Sequence, residues 1–230
     1  MVFATEAGAT PSCDPRLLEG VVFGKLGAEA EAKACYAELR NSPGFERPVS
    51  WTSLRAEDFD GLLLPGGHAP GMRQYLGSQE LQSKVAAFWR LGRPVAAICH
   101  GVLVLARALD PATGRSVLDG RRTTCLPKYM ERAAYLATFW KLGRYYRTYP
   151  AYVEDEVSAA VGPGGEFVRG PFDLGRKPSD GPRAFAVVDG TYVSGRWPGD
   201  AWELARQFLT ALAARPSLRR SDRAAGSSSR

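Results

Sequence analysis

Gly92-Arg-Pro-Val-Ala-Ala-Ile-Cys-His-Gly-Val-Leu-Val-Leu-Ala-Arg-Ala-Leu109 is the stretch on which the fold turns. Val95 to Ile98 is an apolar run, β-branched at both ends and set off upstream by Gly92 and Pro94, which predicts a strand buried on both faces. Val102 to Leu109 predicts a helix. Cys99, His100 and Gly101 lie between them. A strand that turns sharply into a helix strains the turn residue and lifts its side chain above the sheet, over the helix N-terminus. A thiol there is expected to have a lowered pKa. Ala97 and Gly101 supply the small residues such a turn needs. The alternative is a buried, inert Cys ending a core strand.

Other segments fit the same plan. Phe59 to Pro65 predicts a second core strand, running into the loop Gly66-Gly67-His68-Ala69-Pro70-Gly71, where backbone can approach a ligand closely. Ser78 to Leu91 has Leu81, Val85, Phe88 and Trp89 at helical spacing. Strand, helix, strand, helix in sequence implies right-handed βαβ units and a parallel sheet. Loops at the carboxyl ends of such strands form the ligand crevice, so the His68 loop and the Cys99 turn are expected to face each other. They hold both histidines of the chain.

Elsewhere, Val2 to Thr5 predicts a strand at the start, Ala28 to Leu39 a helix, and Arg121 to Cys125 a short strand. Tyr129 to Leu142 predicts an amphipathic helix stopping at Gly143. The segment is aromatic and basic, continuing through Tyr145, Tyr146, Arg147 and Tyr149, and suits an amphipathic helix covering a site or a dimer contact better than a nucleic-acid platform. Val161 to Pro182 reads as a long loop. Phe185 to Val188 and Thr191 to Ser194, joined by Asp189-Gly190, predict a hairpin. Asp200-Ala-Trp-Glu203 reads as a capping box opening a helix to about Ala214, ended by Pro216.

Composition narrows the partners. The 230 residues carry a formal charge of +6. Between Arg215 and Arg230 five arginines face one aspartate, so four of the six net charges belong to a Ser/Gly/Arg-rich end expected to be disordered. Residues 1–214 are expected to form a single domain, and nucleic-acid binding is not expected. Cys13, Cys35, Cys99 and Cys125 form no Cys-x-x-Cys pair and match no zinc spacing. Reduced thiols, no signal peptide and no membrane-length apolar run suggest a cytoplasmic protein. A metal site from His68, Cys99 and His100 is disfavoured, because adjacent residues rarely ligate one ion.

Phe59-Asp-Gly-Leu-Leu-Leu-Pro-Gly-Gly-His68, Ala96-Ala-Ile-Cys-His-Gly101 and Ser194-Gly195 before a final helix together resemble the PfpI-type branch of the class I glutamine amidotransferase-like superfamily. That branch includes intracellular proteases, protein deglycases, and chaperones with glyoxalase III activity. The Glu154-Asp-Glu-Val157 run is similar to one in the glyoxalase III-like members. The resemblance implies a flavodoxin-like three-layer α/β sandwich with a mainly parallel sheet. It also implies no required cofactor, a small carbonyl substrate and a homodimer. Residue by residue, it implies Cys99 as nucleophile and His100 as the adjacent histidine. It further implies the N–H groups of Gly67 and His100 as oxyanion donors, with His68 beside them. In glyoxalase III members water adds across methylglyoxal to give lactate.

Departures from the pattern are visible as well. No histidine follows His100, so the His-x-Glu pair of true glutamine amidotransferases is missing and glutaminase activity is not expected. The chain begins where the second strand of the family would stand. The first strand and the glutamate that hydrogen-bonds the nucleophile are therefore expected to be absent, through a mis-assigned start or a truncation. The acid that orients the histidine would lie near Pro127-Lys128; Lys128 stands there, and Glu131 is the substitute within reach. A catalytically impaired member, acting as a holdase or dimeric scaffold, is the rival expectation.

Overall fold

The computed structural model describes residues 1–21, 27–172 and 184–214. In chain order the elements are β1 (Ala4–Thr5), α1 (Pro15–Glu19), α2 (Ala30–Arg40), α3 (Pro43–Glu46), β2 (Val49–Ser50), β3 (Leu62–Leu64), α4 (Met72–Leu76), α5 (Gln79–Trp89), β4 (Val95–Ile98) and α6 (Val102–Arg107). They continue with β5 (Arg122–Thr123), α7 (Lys128–Leu142), α8 (Val153–Ala160), β6 (Glu166–Phe167), β7 (Ala186–Asp189), β8 (Tyr192–Gly195) and α9 (Ala201–Ala213).

The main sheet runs β3-β4-β8-β7. Strands β3, β4 and β8 are parallel, and β7 pairs antiparallel with β8 in the predicted hairpin, its turn falling at Gly190-Thr191, one residue later than the expected Asp189-Gly190, because Asp189 pairs with Tyr192. Gly190, at φ +61°, takes the first turn position, which L-residues adopt at a cost. Strand β4 occupies the predicted span Val95–Ile98. Its side chains alternate between two layers. Val95 and Ala97 join Leu81 and Val85 of α5 and the apolar face of α6 in the larger core. Ala96 packs with Val193 and with Leu204 of α9 on the opposite face. Helices therefore cover both faces of a mainly parallel sheet, as the resemblance implies.

Helix α5 starts where Ser78 caps it, its hydroxyl accepting from the Leu81 N–H at 3.1 Å. Helix α4 lies in a stretch without a helical expectation. Strand β1 lies apart from the main sheet and pairs in parallel with β2. Within the stretch read as a loop from Val161, β6 pairs with β5. The remainder of that loop from residue 173, the Arg-rich end and Pro216 lie outside the described residues.

The capping box at Asp200 is corrected. Asp200 sits at the N-cap of α9, but its carboxylate makes no capping bond. It accepts from Arg196 Nε at 2.7 Å, Arg196 Nη2 at 2.9 Å and the backbone N–H groups of Arg196 and Phe185. Arg196 is fully buried, and Asp200 is 1% exposed. A buried guanidinium without a counter-charge is far costlier than an uncapped helix, so the carboxylate turns to Arg196. Glu203 instead accepts from Gln207 and Arg206 within α9. Removing one partner strands the other charge, so Asp200→Ala should lower unfolding stability by about 3–5 kcal/mol in urea titration. A loss below about 1 kcal/mol would show that Arg196 finds another way to be satisfied.

Candidate functional site

Cys99 begins the one-turn 3₁₀ segment Cys99–Gly101 between β4 and α6. It has φ +59°, and it is the one non-glycine residue at positive φ among those described. Such a backbone persists only where its surroundings over-determine it. Here the surroundings are the carboxyl end of β3. A Cβ at Gly101 would lie 2.5 Å from the carbonyl oxygens of Leu64 and Pro65. A Cβ at Gly66 would lie 2.6 Å from Cys99 Cβ and 2.8 Å from the Ile98 oxygen. Both glycines are required by close approach of two chains, and together they fix the turn.

The sequence expectations converge in space. The His68 loop and the Cys99 turn face each other, with the His68 and His100 rings 5.4 Å apart. Cys99 Sγ lies 3.5 Å from His100 Nδ1. The backbone N–H groups of His100 and Gly67, the pair that the resemblance implies as oxyanion donors, act to lower the Cys99 thiol pKa. Glu131 does not join them. Its carboxylate accepts from Arg147 Nη1 at 2.7 Å and from the Val153 N–H at 3.1 Å. His100 Nε2 is buried and has no hydrogen-bond partner. Glu131 therefore neutralises a buried arginine rather than orienting the histidine. Lys128 pairs with Asp155, at 2.7 Å. Glu154, in the acidic run, accepts from the Lys128 N–H at 2.7 Å and from Arg169 Nε at 3.0 Å.

The connection between α7 and α8 forms a strap across this site. Tyr146 sets its ring edge-on against His68, centroids 4.4 Å apart. Thr148 Oγ1 donates to the His68 carbonyl at 2.8 Å, and Arg73 Nε donates to the Thr148 carbonyl at 2.9 Å. These contacts come from the segment after α7 rather than from the amphipathic helix expected to cover a site. Asp14, ahead of α1, brings its charge within range of both His68 and Tyr146. Nothing in the loop from Glu6 to Pro15 signals that role, because it depends on where the tertiary fold lays the segment.

Burial sets the electrostatics. It pushes the Cys99 thiol up to about 12, against the lowering effect of the His100 and Gly67 N–H groups and with a further rise from the Glu131 charge. The expectation of a lowered thiol pKa is therefore reversed. Stabilisation by the two amides and a six-residue helix is smaller than the cost of burying an anion. Burial lowers His68 to about 4. Burial, then the charges of His68, Arg107 and Arg147, lower His100 to about 3. The resting site is neutral, a thiol beside two uncharged imidazoles.

A match to the family model described as ThiJ/PfpI family-like spans residues 1–171. The chain belongs to this family. It is 32% identical over 142 residues to an uncharacterised protein of Schizosaccharomyces pombe, covering 58% of this chain and 51% of that one. It thus spans about half the length of that relative. A deglycase of Pyrococcus abyssi is 29% identical over 164 residues, 71% of this chain and 69% of the relative. The crystal structure of glyoxalase III from Candida albicans superposes with a TM-score of 0.65 at 22% identity, covering 91% of this chain and 79% of the other, a likeness of fold. Among the described residues no helix is long and apolar enough to cross a membrane.

Two outcomes follow from the neutral site. Alkylation of Cys99 by iodoacetamide, followed by peptide mass spectrometry, should accelerate steadily with pH through the range 7 to 10. A plateau near pH 7 would mean a thiolate already formed. Unfolded imidazoles charge near 6.5 and the folded ones only near 4 and 3, so below pH 6.5 the unfolded state binds the extra protons. Stability should therefore fall as pH drops from about 6.5 towards 4. His68→Gln should make that decline shallower in urea titrations; an unchanged slope would remove His68 from the acid response.

Proposed function

We propose that the chain is a cofactor-independent, cysteine-dependent enzyme acting on small reactive carbonyls, in the manner of a deglycase or glyoxalase III, with Cys99 as nucleophile. The observation that carries this reading is the strained Cys99 turn with His100 Nδ1 3.5 Å from its sulfur and the His68 loop packed against it, where the Gly67 and His100 N–H groups favour negative charge on that sulfur.

The neutral resting pair shapes the mechanism. His100, uncharged at neutral pH, accepts the thiol proton as the sulfur attacks the aldehyde carbon. The C–S bond forms while the π electrons move to the carbonyl oxygen. The two amides meet the resulting oxyanion, so negative charge passes from sulfur to a site already built for it. This avoids a free thiolate, which burial disfavours. The protonated His100 then returns its proton to that oxygen, giving a hemithioacetal. With methylglyoxal, proton transfer from the former aldehyde carbon to its neighbour and hydrolysis of the C–S bond give lactate. The overall balance is addition of one water.

A catalytically impaired member serving as a holdase or dimeric scaffold is the second reading, favoured by the raised thiol pKa and by a Glu131 engaged elsewhere. Methylglyoxal consumption separates the two. Wild-type protein should consume it and Cys99→Ala should lose at least about 10³-fold in kcat/KM, the scale on which removal of a covalent nucleophile acts. Activity surviving in Cys99→Ala would exclude this thiol. Absent wild-type activity, with suppression of client aggregation, would favour the scaffold.

A further inference from the structure

The loop that carries Gly67 and His68 has little to hold it from within. Gly66 and Gly67 have the most backbone freedom to lose, and Gly67 sits at φ +152°, a conformation that L side chains rarely adopt. Among the described residues no backbone–backbone hydrogen bond ties Gly66, Gly67 or His68 to the rest of the chain. Yet the loop must stay so close to the nucleophile that a Cβ at Gly66 would lie 2.6 Å from Cys99 Cβ. The tie comes from a residue 80 positions further along: the Thr148 hydroxyl donates to the His68 carbonyl at 2.8 Å. Thr148 is buried, so removing the hydroxyl leaves that carbonyl without a ready partner. Thr148 is itself fixed on both flanks. Arg73 Nε, on α4 just beyond the loop, donates to the Thr148 carbonyl at 2.9 Å. The preceding residue, Arg147, is buried in an ion pair with Glu131 at 2.7 Å, its guanidinium 3.8 Å above the Tyr152 ring.

We propose that Thr148 is a positioning residue whose hydroxyl holds the His68 loop closed against Cys99. The inference deepens the reading of Cys99 as nucleophile and rests on it. Thr148 acts through the loop, by way of the His68 carbonyl. Closed, the loop keeps the Cys99 side chain buried and holds the Gly67 N–H where it favours charge on the sulfur. Released, it admits water and reagents to the thiol and blurs the place of that N–H. Burial is the larger of the two influences on the thiol, so release makes the sulfur easier to ionise and to reach. It also makes the site a poorer catalyst, because a donor that is no longer fixed must reorganise when charge develops. Reactivity towards a bulk reagent and turnover therefore move in opposite directions when the hydroxyl is lost.

Two substitutions isolate the hydroxyl. Thr148→Val keeps the shape of the side chain and removes the donor, whereas Thr148→Ser keeps the donor. In Thr148→Val, alkylation of Cys99 by iodoacetamide at about pH 8 should run about 10-fold faster than in the wild type, the scale of one lost buried hydrogen bond. In the same variant kcat for methylglyoxal should fall by about 10-fold with KM little changed. Thr148→Ser should return both quantities to their wild-type values. A wild-type alkylation rate in Thr148→Val, a loss of turnover carried by KM alone, or a Thr148→Ser that behaves like Thr148→Val would overturn the assignment. If the wild type consumes no methylglyoxal, the carbonyl-processing reading fails, and alkylation alone decides the role of Thr148. Should Thr148→Val not fold, Arg73→Gln takes its place, since Arg73 is exposed and its loss frees the Thr148 carbonyl without opening the core. Alkylation about 3-fold faster is then expected, and a wild-type rate would overturn the proposal.

Discussion

The structure depends on the packing of two chain reversals against each other at the carboxyl ends of β3 and β4. Cys99 holds a left-handed backbone that its side chain resists. The strain is stored because there is no room to release it. Gly101 lies against the carbonyls of Leu64 and Pro65, and Gly66 lies against Cys99 itself. In return the N–H groups of His100 and Gly67, from two different loops, both act to lower the pKa of one sulfur. Backbone donors held by a strained turn and a packed strand need little reorganisation when charge develops, the condition for electrostatic stabilisation.

The same packing explains why the resting thiol is neutral. Closeness of the two loops excludes water, and exclusion of water disfavours the thiolate more than two amides favour it. The imidazoles are driven in the opposite direction by the same burial and stay uncharged. A nearby carboxylate would have changed this balance for His100, but Glu131 is committed to Arg147 and the Val153 N–H. That commitment is itself forced, since Arg147 is buried too. At rest the site therefore carries no charge on Cys99, His68 or His100.

How much of this was legible in the sequence follows from how local each determinant is. Strand β4 was readable to the residue because a strand buried on both faces is a continuous apolar run between breakers. The Ser78 cap and the Gly190 hairpin were readable because turn and cap chemistry acts over three or four residues. The Cys99 elbow belongs to the same class. Direction of the thiol pKa was not, because it depends on the depth of burial, which only the packed structure determines. Asp200 looked like a helix cap for the same reason, its true partner being a fully buried arginine four residues upstream. Glu131 looked available to His100 because sequence separation does not reveal that Arg147 reaches it first. Asp14 gave no local signal at all.

Strand β3 shows how the site is held from a side other than the sheet. Its pairing with β4 uses the Leu62 N–H, which donates to Pro94 O at 3.0 Å, and the register places Leu62 beside Val95. In a parallel pair alternate residues face one neighbour, so the N–H and C=O of Leu63 point away from β4. Among the described residues β3 has β4 as its one strand neighbour, and Leu63 is 47% exposed. The loop that follows β3 carries Gly67 and His68, so it cannot rely on flanking strands on both sides. The strap after α7 supplies the missing constraint. Thr148 bonds the His68 carbonyl, Arg73 bonds the Thr148 carbonyl, and Tyr146 packs on the imidazole. Arg147, in the middle of the strap, is anchored by Glu131 and by its own bond to the Pro150 carbonyl at 2.5 Å. Glu131 thus acts on the Cys99 turn from a distance, by fixing the segment that holds the His68 loop, its own carboxylate being bonded to Arg147 and the Val153 N–H.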